Sequence, residues 1–588
     1  MISDIHLSEE ENNPANPYWR TYKRGENSPD KNIISFIDHI SKGNDSPVEL
    51  IFNGDTFDFD SVTALPSKHE SADKKIKISY LEKIRGLNSE KIKSEFKIRR
   101  IIKDHEMVFD RLKTFVSSGN KLIFIIGNHD VELFWPSVQE IIKDRIVALD
   151  EDRERIVFCN WFYVSNKDTL IEHGNQYDPY CVCIDPINPY IFSMGKAKVR
   201  LAFSDNACKF ILNGIGSINP HSHDSFSNST SGWIKFFFKY AIKYEPMILF
   251  NHFMGALLTF IVSIHEAMIT STNKTTTTLS KLDKIAKDSK CDIRSLIFLR
   301  ELHAKSVSYS PLSAAKVLRL DLIIAFLIFF VGLVDNIFFN SSYYTIIITS
   351  LLLLPVMGLF FSLVMYGHGK SPTIKEASDE IESIAATSAK ILGVKNVIFG
   401  HTHQEFSKVI ENVTVINTGT WSFSFSDLEC KVRFGRSCFA LIENDLESKK
   451  RKANLFLWDP ENGVKELGVE KKDIISRTEQ EEALSEIISL IFNSKLKEIE
   501  EKLKSTKVNL NFVDSKGKSP LVYAIESNNS KIVLSLLLAG ADVFFVHEEL
   551  HESCLDKIIQ SGLLSDIELS KYLDSTLNKG AKSHNFEL

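Results

Sequence analysis

Leu122-Ile123-Phe124-Ile125-Ile126-Gly127-Asn128-His129-Asp130 is the stretch that decides the architecture. Five apolar residues run into a glycine and then three polar side chains. That pattern predicts a strand buried on both faces, ended by a turn that presents chemistry-bearing groups. The same grammar recurs along the chain. Val48-Glu49-Leu50-Ile51-Phe52 leads into Asn53-Gly54-Asp55, and Thr169-Leu170-Ile171-Glu172 into His173-Gly174-Asn175. Asn396-Val397-Ile398-Phe399 leads into Gly400-His401-Thr402-His403. Val413 to Gly419 reads as a further strand and turn, and Phe439–Glu443 with Ala453–Trp458 as a closing hairpin. Between the first two strands, the Lys/Glu/Ile-rich residues 70–118 read as helix. Strands alternating with helices predict a layered α/β core. Loops at the carboxyl ends of such strands meet at one edge, so residues far apart in sequence can converge.

The chain has 588 residues, 44% of them hydrophobic and 25% charged, enough for several globular domains. A net charge of −6 provides no basic field, so no nucleic-acid partner is expected. The eight cysteines form no Cys-x-x-Cys pair and read as reduced thiols in a cytosolic setting. No basic-then-apolar leader follows Met1, so no signal peptide is expected. Asp4 stands so near the start that either the first strand is a stub or the gene begins upstream.

Because the strand grammar stops near 183 and resumes near 386, the sequence predicts one α/β domain in two parts, 1–183 and 386–468. Residues 184–385 then form a helical insertion. Leu322–Val334 and Tyr343–Tyr366 carry no charge, and a bilayer span takes about 20 apolar residues. A transmembrane hairpin is therefore expected over about 320–366. Lys316, Arg319 and Lys370 flank it and put both ends, with the α/β domain, on the cytoplasmic face. Met247–Ile264 holds Asn251 and His252 and is expected to lie at the interface or to pack, because an odd number of spans would separate the two half-domains. The many Lys, Ile, Asn and Phe suit a bacterium, hence an inner-membrane location.

Residues 480–588 have a different texture. Gly517-Lys518-Ser519-Pro520-Leu521-Val522-Tyr523-Ala524, followed by Ile532 to Asp542, resembles an ankyrin repeat: a turn, a short helix, then a longer helix ending at glycine. Asn509 and Asp542 are one ankyrin period apart. The expectation is an all-α ankyrin-like module that binds a protein partner.

The residues at the strand ends are Asp4, His6, Asp55, Asn128, His129, His173, His401 and His403. Carboxylate, amide and imidazole without thiolate suit Mn, Fe or Zn in a reactive site rather than a structural zinc. Asp-x-His and His-x-His place two donors on the same side of the chain as it leaves a strand.

Asp4-Ile5-His6, Gly54-Asp55, Gly127-Asn128-His129, His173 and Gly400-His401-Thr402-His403 occur in the order typical of the calcineurin-like metallophosphoesterases. The chain resembles that superfamily over about 1–180 and 390–465. The resemblance implies a layered β-sandwich flanked by helices, holding two divalent cations, with Mn first and Fe or Zn as alternatives. It implies one metal on Asp4, His6, Asp55 and His403, and a second on Asp55, Asn128, His173 and His401, with Asp55 bridging. His129 would face the substrate and assist the leaving oxygen. Asp58 would hold its tautomer, as the matching aspartate does in the phosphoprotein phosphatase branch. That branch continues with Arg-Gly where Phe59-Asp60 stand here. Ser3 to Leu7 and Gly54 to Phe57 look more like the bacterial branch of UDP-diacylglucosamine pyrophosphatases, although Glu172 to Pro179 depart from it after His-Gly. The expectation is hydrolysis of a phosphomonoester or pyrophosphate on a lipid-linked, membrane-proximal substrate. The alternatives are a phosphatase of soluble nucleotides and a membrane-anchored scaffold with vestigial catalysis.

Overall fold

In the computed structural model, alternate residues of each strand enter different cores. Lys121–Ile125 sends Leu122 and Phe124 to one side and Ile123 and Ile125 to the other. Glu49–Asn53 does the same with Leu50 and Phe52 against Ile51. This is the two-residue period of a strand covered on both faces. The structure describes residues 1–573 except 12–17, 43–45, 74–75, 194, 218–235, 270–274, 319, 321–372, 426–429, 432, 435, 445–450, 468–476, 506–509, 511–517, 540, 542–545 and 548–551.

Glu49–Asn53, Lys121–Ile125 and Ile156–Cys159 form a parallel three-stranded sheet. The start of the chain adds only a stub to it: Ile2 bridges Phe52, and Leu7 bridges Phe57. A second, five-stranded sheet runs in the order Phe162–Ser165, Thr169–Glu172, Asn396–Phe399, Val413–Asn417, Phe406–Ile410. Thr169–Glu172 pairs in parallel with Asn396–Phe399, so residues separated by the whole insertion lie side by side. Ser437–Asn444, Arg451–Asp459 and Gly463–Leu467 make an antiparallel three-stranded sheet, one strand more than the expected hairpin.

Ile51, Ile123 and Ile125 of the first sheet meet Ile171, Ile398 and Ile416 of the second in one core, together with Cys438, Ala440 and Leu455. The outer face of the first sheet is covered by Asp30–Ile40, Lys91–Asp104, Glu106–Ser117 and Pro136–Ile146. The outer face of the second is covered by Thr275–Asp288, Ile293–Glu301 and Thr373–Leu392. The helical stretch expected over 70–118 is broken between Arg85 and Lys91, and again at His105.

The described residues divide into two compact units, Met1–Glu470 and Lys471–Leu588. The first unit includes the described part of the insertion, which is tied to the α/β layers: Arg20 Nη2 donates to the Asn213 carbonyl at 2.9 Å, and Lys209 Nζ to that of Leu87 at 3.0 Å. In the second unit, Pro520–Glu526 and Ser530–Leu538 form the short-helix, longer-helix pair. The flanking Asn509, Gly517, Gly540 and Asp542 lie outside the described residues. This unit is not all-α, because Val546–His547 pairs with Glu552–Ser553.

The membrane reading is corrected. Among the described residues, no helix is long and apolar enough to cross a membrane. The hairpin, the membrane partner and the inner-membrane location drawn from it are withdrawn. Residues 321–366 of that expected hairpin lie outside the described residues. Ile248–Met268 shows what an apolar helix of this insertion does. It buries His252, Thr259, Ser263 and Glu266 among its apolar residues. Glu266 pairs with Lys198, and the Thr259 hydroxyl bonds the Gly255 carbonyl of its own helix at 2.9 Å with the Asn206 carbonyl 3.3 Å away.

Candidate metal centre

Asp4, His6, Asp55, His401 and His403 share an unusual backbone. Their φ angles are 54°, 54°, 48°, 68° and 58°, in the left-handed region that side-chain-bearing residues avoid. Each follows a strand or stub whose direction the sheets fix, and each turns sharply at the sheet edge. Strain of this kind clusters where surrounding structure holds side chains for a purpose. The motif glycines make room for the turns. A Cβ on Gly127 would fall 2.2 Å from Asp55 Oδ1, and one on Gly400 would fall 2.5 Å from Asp4 Oδ2.

The turns bring the expected donors together. His403 Nε2 lies 3.2 Å from Asp4 Oδ1 and 3.2 Å from His6 Nε2. His173 Nε2 lies 3.0 Å from Asp55 Oδ2 and 3.9 Å from Asp4 Oδ1. Asp4, His6 and His403 form one group of donors that can hold a metal ion, and Asp55, His173 and His401 form an adjacent one. The ring of His173 hydrogen-bonds through Nδ1 to the Asn53 carbonyl at 2.9 Å. With the proton there, Nε2 keeps its lone pair toward the carboxylates, as a metal-ligating histidine needs. Asn128 Oδ1 is buried and makes no hydrogen bond. A buried acceptor left so costs about 1–3 kcal/mol unless a positive centre faces it. The donor set and this amide oxygen both fit divalent cations.

The residues in and around the two groups are strongly charged. Burial works against ionising Asp55, yet His173 and His129 hold its carboxyl well below the usual range. Burial works against charging His173, yet Asp55 and Asp4 push it up to about 10. The carboxylates demand positive charge in this space, and protons or metal ions can supply it.

His129 sits beside both groups, its ring 5.0 Å from that of His6 in an edge-to-face arrangement. Its backbone N–H donates to Asp55 Oδ1 at 2.9 Å. Asp58 Oδ1 lies 3.7 Å and Asp60 Oδ2 3.8 Å from His129 Nδ1. Burial opposes the imidazolium, but Asp55, Asp58, Asp205 and Asp60 outweigh it and push His129 to about 9. A small cleft opens past His6 and Asp58, lined also by Ser8, Tyr22, Arg24 and Phe423.

All nine expected site residues thus lie in one neighbourhood, and several more share it. Asp178 meets His401 Nε2 at 3.1 Å. Asp130 accepts from Gly127 N at 2.7 Å and Thr56 N at 2.9 Å, fastening two of the motifs to each other. Asp60 and Asp205 group with His129. Asp60 and Asp130 stand inside or beside quoted motifs, where a second acidic residue was the available signal. Asp178 lies five residues past His173. Asp205 lies in the insertion, with no local pattern to mark it. No family model, no curated protein and no solved structure matches this chain.

Proposed function

We propose that the protein hydrolyses a phosphomonoester or a pyrophosphate bond with the help of two divalent cations, Mn being the first choice and Fe or Zn the alternatives. The observation that supports this most is the pair of adjacent donor groups, with Asp4 and Asp55 both beside His173 Nε2. Asp4, His6, Asp55 and His403 would hold one cation, and Asp55, Asn128, His173 and His401 the other. When bound, such a pair neutralises phosphoryl charge and makes a hydroxide available near neutral pH.

The remaining work falls to this chain's own groups. His129 belongs to neither ligand set, and the nearby Asp55, Asp58, Asp205 and Asp60 favour its protonated form against burial. It is suited to giving that proton to the leaving oxygen. Asp58 and Asp60 flank its Nδ1 and limit its rotation. The cleft past His6 presents hydroxyl, guanidinium and aromatic groups, which suits a polar leaving group.

The test is elemental analysis of the purified protein together with turnover of p-nitrophenyl phosphate and a nucleoside diphosphate in Mn²⁺. The wild type should hold two metal equivalents. Asp55→Asn should lose metal and turnover together. His129→Ala should keep its metal and lose about 10²- to 10⁴-fold in rate. A protein that binds no stoichiometric metal would end this reading, and full rate in His129→Ala would end the proton-donor role.

A further inference from the structure

The insertion supplies a buried carboxylate that meets the amide of Asn128. An amide ligand has two chemically different ends, and only its oxygen can bind a cation. Asn128 is buried at the end of Lys121–Ile125, so its amide needs a partner that fixes which end points where. Its Nδ2 donates to Asp205 Oδ1 at 3.0 Å, which leaves Oδ1 as the end without a hydrogen bond. Asp205 is itself immobilised. It sits in the short helix Phe203–Ala207, fully buried, where its Oδ2 accepts from Ala202 N at 2.9 Å and its Oδ1 from Ser204 Oγ at 3.0 Å. That helix packs against Ile248–Met268, whose Thr259 Oγ1 lies 3.3 Å from the Asn206 carbonyl. A carboxylate accepts only, so it selects the NH₂ end of the amide every time.

We infer that Asp205 is a positioning residue for the metal centre, holding the Asn128 carbonyl oxygen toward the cation that Asp55, His173 and His401 also face. The inference rests on the two-cation reading. Partners of metal ligands of this kind are worth about 10- to 100-fold in metal affinity. The insertion is then part of the metal site and not an appendage to it.

The test is calorimetric titration of Mn²⁺ into metal-free full-length protein, with thermal melts run in parallel. Asp205→Ala should weaken one of the two binding events by about 10- to 100-fold and leave the other near the wild-type value. Asp205→Asn keeps an acceptor oxygen and should fall between. The Asn128→Asp background separates positioning from support of the helix. A carboxylate at 128 offers an oxygen at either end, so adding Asp205→Ala there should cost under about threefold if orientation is the cause. Two wild-type affinities in Asp205→Ala would overturn the inference, as would an equal loss in the Asn128→Asp background. If Asp205→Ala does not fold, the comparison of Asp205→Asn in the two backgrounds decides by the same criterion. A wild type that binds no Mn²⁺ would instead remove the hydrolase reading beneath it.

Discussion

The strand Lys121–Ile125 and the helix Ile248–Met268 are both apolar, yet they behave differently. The strand is apolar on both faces, meets apolar side chains on both, and spends its polarity in the turn that follows. The helix mixes His252, Thr259, Ser263 and Glu266 into its buried positions and pairs Glu266 with Lys198 of a neighbouring strand. The first is a plain core that ends in a turn carrying candidate metal ligands. The second is a specified contact that fastens segments of the insertion to one another. Apolar content alone does not separate these cases, whereas the placement of the polar residues does.

Truncation should cost most in the strand. Phe124 is fully buried and stacks on Phe158 at 5.0 Å between ring centroids. Phe124→Ala should cost about 3–5 kcal/mol in denaturant unfolding. A loss below about 1 kcal/mol would mean that this layer is not tightly packed. The helix should respond less. Glu266→Ala leaves the mostly buried Lys198 without its carboxylate and should cost about 1–3 kcal/mol. A larger loss than that of Phe124→Ala would reverse the ranking of the two regions.

The smallest effect is one of pH. His105 stands at the break between two helices that cover the strand, with Nδ1 2.8 Å from Asp30 Oδ1 and Nε2 2.6 Å from the Ser8 carbonyl. Two acceptors on two ring nitrogens call for the doubly protonated ring. Burial opposes that charge, but Asp30, Ser8 and Glu10 overcome it and raise the folded value above the ordinary 6.5. The stabilisation is therefore fully present below about pH 6.5 and is lost as pH rises through the higher folded value. Stability curves of wild type and His105→Gln should converge as pH climbs from 6 to 9. A constant gap would show that charge at this ring contributes nothing.

The strands and their terminal turns were legible because burial on both faces leaves a continuous apolar run, and because Gly-Asp, Gly-Asn-His and Gly-His-x-His stand directly after such runs. The gathering of Asp4, His173 and His403 followed from the rule that strand ends share an edge. Asp205 was not legible, since its role arises only when a helix from the insertion is laid beside Asn128. The apolar stretches of the insertion were read by length and charge alone, which led to the membrane expectation now withdrawn. The register by which Thr169–Glu172 meets Asn396–Phe399 across more than two hundred residues is likewise a tertiary fact.

The left-handed turns at Asp4, His6, Asp55, His401 and His403 have an evolutionary corollary. At each of them glycine would relax the backbone and toughen the fold, while erasing a side chain able to hold a metal ion. Routes to greater heat resistance are thus closed at these five places for any descendant that keeps its chemistry, and must run through the surface and the distant helices instead.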